Sequence, residues 1–304
     1  MNSLTGFSYD SDEIIKAIAK KHTESDITLY GRKDQDLTTT IFTPTKFPDK
    51  ISSLTDSISL SEFNIVGMTH LDRFLGEVLI ALDLLNRNKG FIVKDNNTDS
   101  SQINRIIKGS VMSSYRQFEG SPMEILDDLN KIQGSIQRDS EAPVRVIIDH
   151  FFKVKSVGTV ALGFVLSGTL KKHQTLYLNP TGLQAQVRSI QMNDVDYDQA
   201  PAGSRVGLAL KNVDVDDMER GYLLEERKIE PVDTMVGQVV YHRAVPDELK
   251  GDGEIFIAGN LRYQRGFLRG NEIQMDKPAI PNSEYLLVRP NSRPRIIGKI
   301  KVSS

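Results

Sequence analysis

The chain has 304 residues, enough for two or three domains with hydrophobic cores of their own. It contains no cysteine, which excludes disulfides, thiolate metal sites and a cysteine nucleophile. Its net charge of −2 is unevenly spread: residues 1–141 hold 16 basic against 21 acidic side chains, and residues 227–304 hold 13 against 9. The C-terminal region is therefore the natural side for a polyanionic partner.

Membrane, secretion and metal-binding signals are missing from the sequence. No apolar run approaches 18 residues, and the N-terminus lacks a basic segment followed by an apolar one. We therefore expect a cytoplasmic protein without a membrane partner. The five histidines are scattered without metal-ligand spacing, so no metal site is expected.

The first 140 residues alternate between predicted helices and strands. Helices are predicted over residues 11–22, 47–60, 71–86 and 122–132, where apolar residues recur at spacings of three and four. Strands are predicted over residues 26–31, 37–44, 63–68 and 90–93. Ser11 and Ser121 are the expected N-caps, and Pro122 suits a first helical position. This order predicts an α/β domain, in which ligands bind at the carboxyl ends of the strands.

Residues 141–226 are predicted to form one small β-domain. Alternating apolar residues begin at Val144, Val146 and Ile148 and recur in several short runs, separated by Gly, Pro, Asn and Asp. About six strands in so short a stretch, with no helical period, favour a small closed barrel. Residues 227–304 show the same kind of pattern, so a second β-domain is expected there.

The middle stretch resembles a known family. Its ordered pieces read FFKVKSVGTVALGFVLSG, then VRSIQ, then AGSRVGLALKNVDVDDMERGYLL. Together they resemble the second domain of the translational GTPases, the family of elongation factor Tu and the selenocysteine-specific elongation factor. The ending RPRIIGKI resembles the close of the third domain of that family. The resemblance implies a degenerate P-loop-GTPase-like α/β domain over residues 1–140, followed by two small β-barrels over 141–226 and 227–304.

The chemistry of a GTPase is not visible in the first domain. The phosphate loop GxxxxGK[ST], whose backbone amides and lysine wrap the phosphates, occurs nowhere in the chain. Phe42, Thr45 and Lys46 stand where the family has the acid, glycine and histidine of DTPGH. VKDNNTD (93–99) is the nearest stand-in for the guanine reader NKxD, and its Asp95 and Asp99 are better explained as turn formers. GSVMSS (109–114) falls at the expected place of the base-contacting SAL motif.

The resemblance also implies RNA-binding residues in the second domain. In the elongation factors this domain holds the aminoacylated end of tRNA. The matching positions here are Lys155, Val157, Gly158, Gln191, Ser204 and Arg205. Elongation factor Tu has an arginine at the position of Val157 and acidic side chains at those of Gln191 and Ser204. The alternative is a barrel that serves only packing and domain contacts.

The C-terminal domain carries arginines close to aromatic residues. Tyr263 and Phe267 are interleaved with three of these arginines, an arrangement that can face phosphate and a base. The candidate RNA-binding arginines are Arg262, Arg265, Arg269, Arg293 and Arg295. The alternative is a set of hairpin charges over a partly buried aromatic pair.

The sequence thus predicts a translation elongation factor-related protein without GTP binding or hydrolysis. It would bind tRNA, the ribosome or another translation protein through its barrels. No catalytic or nucleotide-binding residue and no cofactor is expected, and the oligomeric state stays open. One alternative is an unorthodox GTPase, which would require GTP and magnesium. The other is a protein–protein adaptor that does not touch RNA.

Overall fold

The computed structural model describes residues 2–34, 37–94, 99–119 and 121–303. In chain order these residues form an α/β layer and two β-barrels, as the sequence predicts. The α/β layer ends with a helix at Gly134, and the first barrel begins at Arg145. The first barrel ends at Glu225, and the second begins at Val232.

The α/β layer is built on a seven-stranded sheet. Its strands are β1 (Asn2–Tyr9), β2 (Lys20–Glu24), β3 (Thr28–Lys33), β4 (Leu37–Thr43), β5 (Phe63–Gly67), β6 (Gly90–Val93) and β7 (Arg116–Phe118). Its helices are α1 (Asp12–Ile18), α2 (Ile51–Ser59), α3 (Arg73–Leu84), α4 (Ser100–Ile107) and α5 (Pro122–Gly134). The strand order is β2-β3-β4-β1-β5-β6-β7, in which β4, β1, β5, β6 and β7 are mutually parallel.

The central strand β1 was not predicted, and the predicted helix over 11–22 is wrong in its second half. Residues 2–9 contain serines, a threonine and a glycine, which weaken the apolar signal of a buried strand. Gly6 is required there, because a Cβ would lie 2.2 Å from the ring of Phe63 on β5. The helix stops at Ile18, and Lys20–Glu24 forms the exposed edge strand β2.

The other predicted helices are present with shifted ends. Asp72 caps α3, since its carboxylate accepts hydrogen bonds from the amides of Phe74 (2.9 Å) and Leu75 (3.0 Å). Ser121 caps α5 in a capping box with Glu124, as the sequence predicts. Ser11 does not cap α1, because its hydroxyl instead lies 2.8 Å from that of Ser8.

The first barrel contains nine strands. They are β8 (Arg145–Val154), β9 (Gly158–Ser167), β10 (Thr169–Lys171), β11 (Thr175–Asn179), β12 (Leu183–Met192), β13 (Val195–Tyr197), β14 (Gln199–Pro201), β15 (Arg205–Lys211) and β16 (Leu223–Glu225). The sheet runs β11-β16-β8-β9-β15-β12-β13 and closes through pairing of β11 with β12. Val146 and Ile148 of β8 point into this barrel, and Ile147 between them packs toward the α/β layer.

The second barrel is a closed ring of six strands. They are β17 (Val232–Tyr241), β18 (Gly253–Gly259), β19 (Arg262–Arg269), β20 (Glu272–Ala279), β21 (Glu284–Val288) and β22 (Ile296–Val302). The order around the ring is β17-β20-β19-β18-β21-β22. In the first barrel β10 and β14 pair with each other as a small separate sheet, and the main sheets of both barrels close on themselves.

Hydrophobic clusters continue from the α/β layer into both barrels. One cluster joins helix α2, through Leu54 and Ile58, to Leu286 and Ile296 of the second barrel. Another joins Phe42 of β4 to Phe164 of the first barrel, with ring centroids 5.4 Å apart. The three parts thus share apolar cores. In the described residues no helix is long and apolar enough to cross a membrane.

Charged pairs reinforce the contact between the α/β layer and the second barrel. Glu77 of α3 accepts hydrogen bonds from Arg295 through its backbone amide (3.0 Å), Nε (3.0 Å) and a terminal guanidinium nitrogen (2.6 Å). Arg295 also donates to the carbonyl of Pro48 (2.7 Å) and lies over the ring of Phe47. The side chains of Arg295 and Glu77 are only 17% and 8% exposed, so the pair is desolvated.

Replacement of Glu77 by alanine should therefore lower the free energy of unfolding by about 3–5 kcal/mol, because it leaves a buried guanidinium without a counter-charge. Urea unfolding followed by circular dichroism measures this. The matched control is Asp247→Ala, which removes a carboxylate that pairs with Lys250 at the surface and should leave the unfolding midpoint unchanged. Equal effects of the two substitutions would contradict a stabilising role for the Glu77–Arg295 contact.

Candidate functional site

A cleft of 1530 Å³ lies at the carboxyl ends of the parallel strands. Its lining includes the ends of three neighbouring strands and the residues that follow them, namely Tyr9–Ser11 at β1, Thr43–Thr45 at β4, and Thr69, His70 and Asp72 after β5. Ligands of α/β sheets bind at this edge. The cleft is therefore the place at which a nucleotide would be expected in a GTPase-like domain.

The connection between β1 and α1 consists of only Asp10 and Ser11. A phosphate loop of the GxxxxGK[ST] type needs about eight residues between strand and helix. The carboxylate of Asp10 accepts hydrogen bonds from the hydroxyl of Thr69 and the amide of His70 (3.3 Å). Gly67 permits this approach, because a Cβ there would lie 1.7 Å from the Asp10 carbonyl oxygen. The connection is thus closed against the β5–α3 segment.

The electrostatics of this connection also differ from those of a phosphate site. The N-terminus of a helix attracts anions, and a P-loop protein places the phosphates there. Here the first turn of α1 carries Asp12 and Glu13, and Asp10 lies two residues before the helix begins. Three acidic residues therefore lie at or next to the helix end at which a P-loop protein binds phosphate.

The segment after β4 makes packing contacts within the chain. Phe42 is 4% exposed and contacts the first barrel. The hydroxyl of Thr45 lies 2.6 Å from that of Thr28, and the amide of Lys46 donates to the carbonyl of Asp26 (3.1 Å). Within the described residues no group of three or more His, Cys, Asp or Glu side chains could hold a metal ion.

The two remaining segments that were compared with nucleotide-binding motifs are VKDNNTD (93–99) and GSVMSS (109–114). Asp95 lies outside the described residues, whereas Asp99 caps α4 by accepting from the amide of Ser101 (2.8 Å). The expected base-contacting position of GSVMSS is wrong. Its residues Val111–Ser114 form a 3-10 helix before β7, at the amino end of that strand and so opposite the cleft, with Met112 fully buried. The segment takes this place because the side chain of Met112 packs into the apolar core of the α/β layer.

Three predicted RNA-binding residues lie together at the turn between β8 and β9. Lys155 and Val157 are exposed there, followed by Gly158 with a φ of +96°. The guanidinium of Arg188 on β12 donates to the carbonyl of Val157 (3.2 Å). Phe152 on β8 is 42% exposed nearby, across the ladder from Val160. Sequence reasoning missed Arg188 and Phe152. Strict alternation from Val146 and Ile148 would place Phe152 on the inner face of β8, and the register shift between Ile148 and His150 turns it outward.

The other predicted residues of this barrel lie further along the sheet. Gln191 is exposed and donates to Asp196 (2.9 Å). Arg205 pairs with Phe164, six residues from Gly158 on β9, which is roughly 20 Å along the strand. Its guanidinium lies over the ring of Phe164 and 3.5 Å from Asp149. Ser204 is 1% exposed. The structure therefore does not bring all six residues into one pocket.

The C-terminal arginines are also divided. Arg262 contacts Glu219 (3.1 Å) and lies over Tyr222, and Arg265 contacts Asp276 (2.7 Å). Arg295 is withdrawn into the contact with Glu77 described above. Arg269 and Arg293 are exposed, and Arg269 lies 5.4 Å from the ring centre of Phe267. A single arginine patch is thus not formed.

Sequence comparisons agree with this architecture. The family description "Elongation factor Tu domain 2" matches residues 158–225. The selenocysteine-specific elongation factor of Methanocaldococcus jannaschii is 32% identical over 188 residues, which cover 54% of this chain and 39% of that protein. Elongation factor 1-alpha of Eimeria bovis is 37% identical over 95 residues, which cover 31% of this chain and 28% of that protein.

Solved structures show the same fold. A bacterial selenocysteine-specific elongation factor aligns with 99% of this chain at a TM-score of 0.83 and 17% identity, and the chain spans 58% of that protein. The elongation factor SelB of Methanococcus maripaludis, in complex with a GTP analogue, aligns over the whole chain and 79% of its own length at a TM-score of 0.82 and 18% identity.

A longer sequence match covers about two thirds of both this chain and a related protein. The uncharacterized protein MJ0325 of Methanocaldococcus jannaschii is 38% identical over 214 residues, which cover 70% of this chain and 69% of that protein. Its extent, the family match and the shared three-part fold lead to one assignment. The chain belongs to the family of elongation factor Tu and the selenocysteine-specific elongation factors, together with MJ0325.

Proposed function

We propose that this chain is an elongation factor-related protein that works without binding or hydrolysing GTP and that holds tRNA or the ribosome through its β-barrels. The absence of GTP binding is proposed from the two-residue connection at Asp10 and Ser11. Phosphoryl-transfer proteins depend on a preformed amide cradle and a bound magnesium ion. Three carboxylates stand at the helix end that would have to receive the phosphates.

Support for RNA binding comes from the turn between β8 and β9. Lys155 and Arg188 place cationic side chains at one end of the first barrel, and Phe152 exposes an aromatic ring beside them. Lys153 on the same hairpin is partly neutralised by Asp214 (2.7 Å). Cations that contact phosphates and aromatic rings on which bases stack are the usual elements of single-stranded RNA recognition. We therefore assign the acceptor end of tRNA, or ribosomal RNA, to this turn.

Similarity to elongation factors supports a role in translation. The contacts of the C-terminal arginines indicate which of them are free to bind RNA. Arg295 is unavailable to a partner because Glu77 and Pro48 hold it. Arg269 with Phe267 remains exposed on the second barrel and is a second contact for a long RNA. Both barrels are joined to the α/β layer through shared cores, so RNA would meet a preformed surface.

The double substitution Lys155→Glu and Arg188→Glu should weaken tRNA or ribosome binding about tenfold or more, because it removes two phosphate contacts and adds repulsion. Filter binding across a salt series measures both the affinity and the salt slope. The slope for the substituted protein should fall by about one to two units. Lys301→Glu, an exposed charge on the second barrel, is the matched control and should bind as the unmodified chain does.

Three outcomes separate the candidate functions. Salt-dependent binding that the double substitution weakens supports the proposal. Recovery of partner proteins that persists after ribonuclease treatment, without any RNA binding by the purified chain, would favour a protein adaptor. RNA binding that depends on added GTP would favour an unorthodox GTPase and contradict the nucleotide-independent mechanism.

A further inference from the structure

A polar surface lies at the amino ends of β6 and β7, on the edge of the sheet opposite the cleft. It is formed by the segments that precede these two parallel strands, over 85–89 and 108–115, and by the first residues after β17. Six of its side chains are exposed, and we call them the amino-edge surface: Asn86, Asn88, Lys108, Ser113, Ser114 and Arg243.

Hydrogen bonds hold the segments of this surface together. The hydroxyl of Ser114 donates to the backbone carbonyl of Asn88 at 2.7 Å. Nη2 of Arg243 donates to the backbone carbonyl of Lys108 at 3.1 Å. Between these contacts, Asp83 accepts from the first amide of the 3-10 helix at 2.7 Å and lies 3.1 Å from the imidazole that precedes Arg243. The surface is therefore continuous from the α/β layer to the second barrel.

The α/β segments of this surface carry cations and no carboxylates. Residues 84–94 and 100–118 contain six Lys and Arg and neither Asp nor Glu. In the described part of the chain, Lys108 and Arg243 form no ion pair. The side chain of Asp83 beneath them is 13% exposed, and both of its oxygens are engaged within the chain. Positive charge therefore prevails at this edge, which favours a polyanionic partner.

The polar groups of this surface match a sugar–phosphate backbone. Lysine, arginine and asparagine side chains donate to phosphate oxygens in nucleic-acid complexes. Among the described residues, the side-chain amides of Asn86 and Asn88 have no hydrogen-bond partner and are free to donate. The hydroxyls of Ser113 and Ser114 already donate to backbone carbonyls. Their oxygens are thus left to accept from other groups, such as the 2′-hydroxyls of RNA.

Exposed apolar anchors are scarce at this edge. In the described part of residues 84–118, Ile106 is the exposed large apolar side chain, and no aromatic ring is exposed. Protein interfaces are anchored by large apolar and aromatic side chains, and single-stranded RNA stacks its bases on aromatic rings. Duplex RNA is instead recognised by its shape, through phosphates and 2′-hydroxyls. The amino-edge surface therefore fits a duplex better than either of the other two partners.

We propose that the amino-edge surface binds the backbone of an RNA duplex, with Lys108 and Arg243 on phosphates and the two serines on ribose hydroxyls. The inference rests on the proposed function for its class of partner, RNA, and adds a separate surface. The turn between β8 and β9 lies on the first barrel and exposes an aromatic ring for an unpaired end. The amino-edge surface lies mainly on the α/β layer and takes a double-stranded region.

The test is filter binding of the purified full chain to two probes, a blunt-ended RNA duplex and a single-stranded RNA of the same composition, across a salt series. The double substitution Asn88→Asp and Lys108→Glu should weaken duplex binding about tenfold or more and lower its salt slope by about one unit. Binding of the single-stranded probe should not change. Arg243→Ala should weaken duplex binding by a smaller factor, because it removes one phosphate contact without adding repulsion.

The matched control is Gln238→Glu with Lys301→Glu. These two exposed residues lie opposite each other on β17 and β22. Like the test variant, the control replaces one lysine and one side-chain amide by carboxylates, so the net charge changes equally. It should bind the duplex as the unmodified chain does. Thermal unfolding shows which variants are folded, and Arg243→Ala serves if the double substitution does not fold.

The outcomes separate this inference from the proposed function. Duplex binding that the amino-edge variant loses, and that Lys155→Glu with Arg188→Glu retains, supports the inference. Saturable binding of single-stranded RNA without saturable duplex binding overturns the inference and leaves the proposed function standing. Equal weakening by the control variant also overturns it, since net charge alone would then explain the effect. A protein that the unmodified chain retains after ribonuclease treatment, and that the amino-edge variant loses, would assign this surface to a protein and refute the duplex.

Discussion

A two-residue connection between β1 and α1 determines what the α/β layer can hold. Asp10 and Ser11 leave no room for an anion-binding loop, and the Asp10 carboxylate is tied to Thr69 and His70 of the neighbouring segment. The close approach of Asp10 to Gly67 keeps this edge shut. A domain with the strand order of a nucleotide-binding sheet thus carries acidic residues at the start of α1, the helix end at which P-loop proteins bind phosphate. On the function proposed above, the contribution of this domain is structural.

That structural role is visible in the contacts between the three parts. If no nucleotide binds, as proposed, the domain arrangement is held by the chain's own interactions. Apolar clusters reach Phe164 of the first barrel and Leu286 of the second, and the buried Arg295–Glu77 pair links α3 to the second barrel. Buried ion pairs are worth more as orienting devices than as net stabilisers, because desolvation offsets much of their attraction. Both barrels are therefore docked against the α/β layer.

The sequence predicts those features that local periodicity and capping encode. The leucine stripe predicts α3, Ser121 with Pro122 predicts α5, and the alternation from Val144 onward predicts the first barrel. Strand β1 was not predicted because its residues show no clear apolar pattern. It is buried because it lies between β4 and β5 in the sheet. The candidate site was harder still. Arg295 looks like a surface arginine in sequence, and its partner is 218 residues away. Long-range pairing of this kind leaves no local signal.

The central claim is that the α/β layer no longer binds GTP, and a direct titration tests it. The purified chain is titrated with fluorescent GTP and GDP, with and without magnesium, alongside elongation factor Tu as a positive control. We expect no saturable signal for either nucleotide, because the connection at Asp10 and Ser11 is too short for an amide cradle and acidic residues begin α1. Saturable, magnesium-dependent binding of GTP to this chain would refute this expectation and restore a nucleotide-driven mechanism.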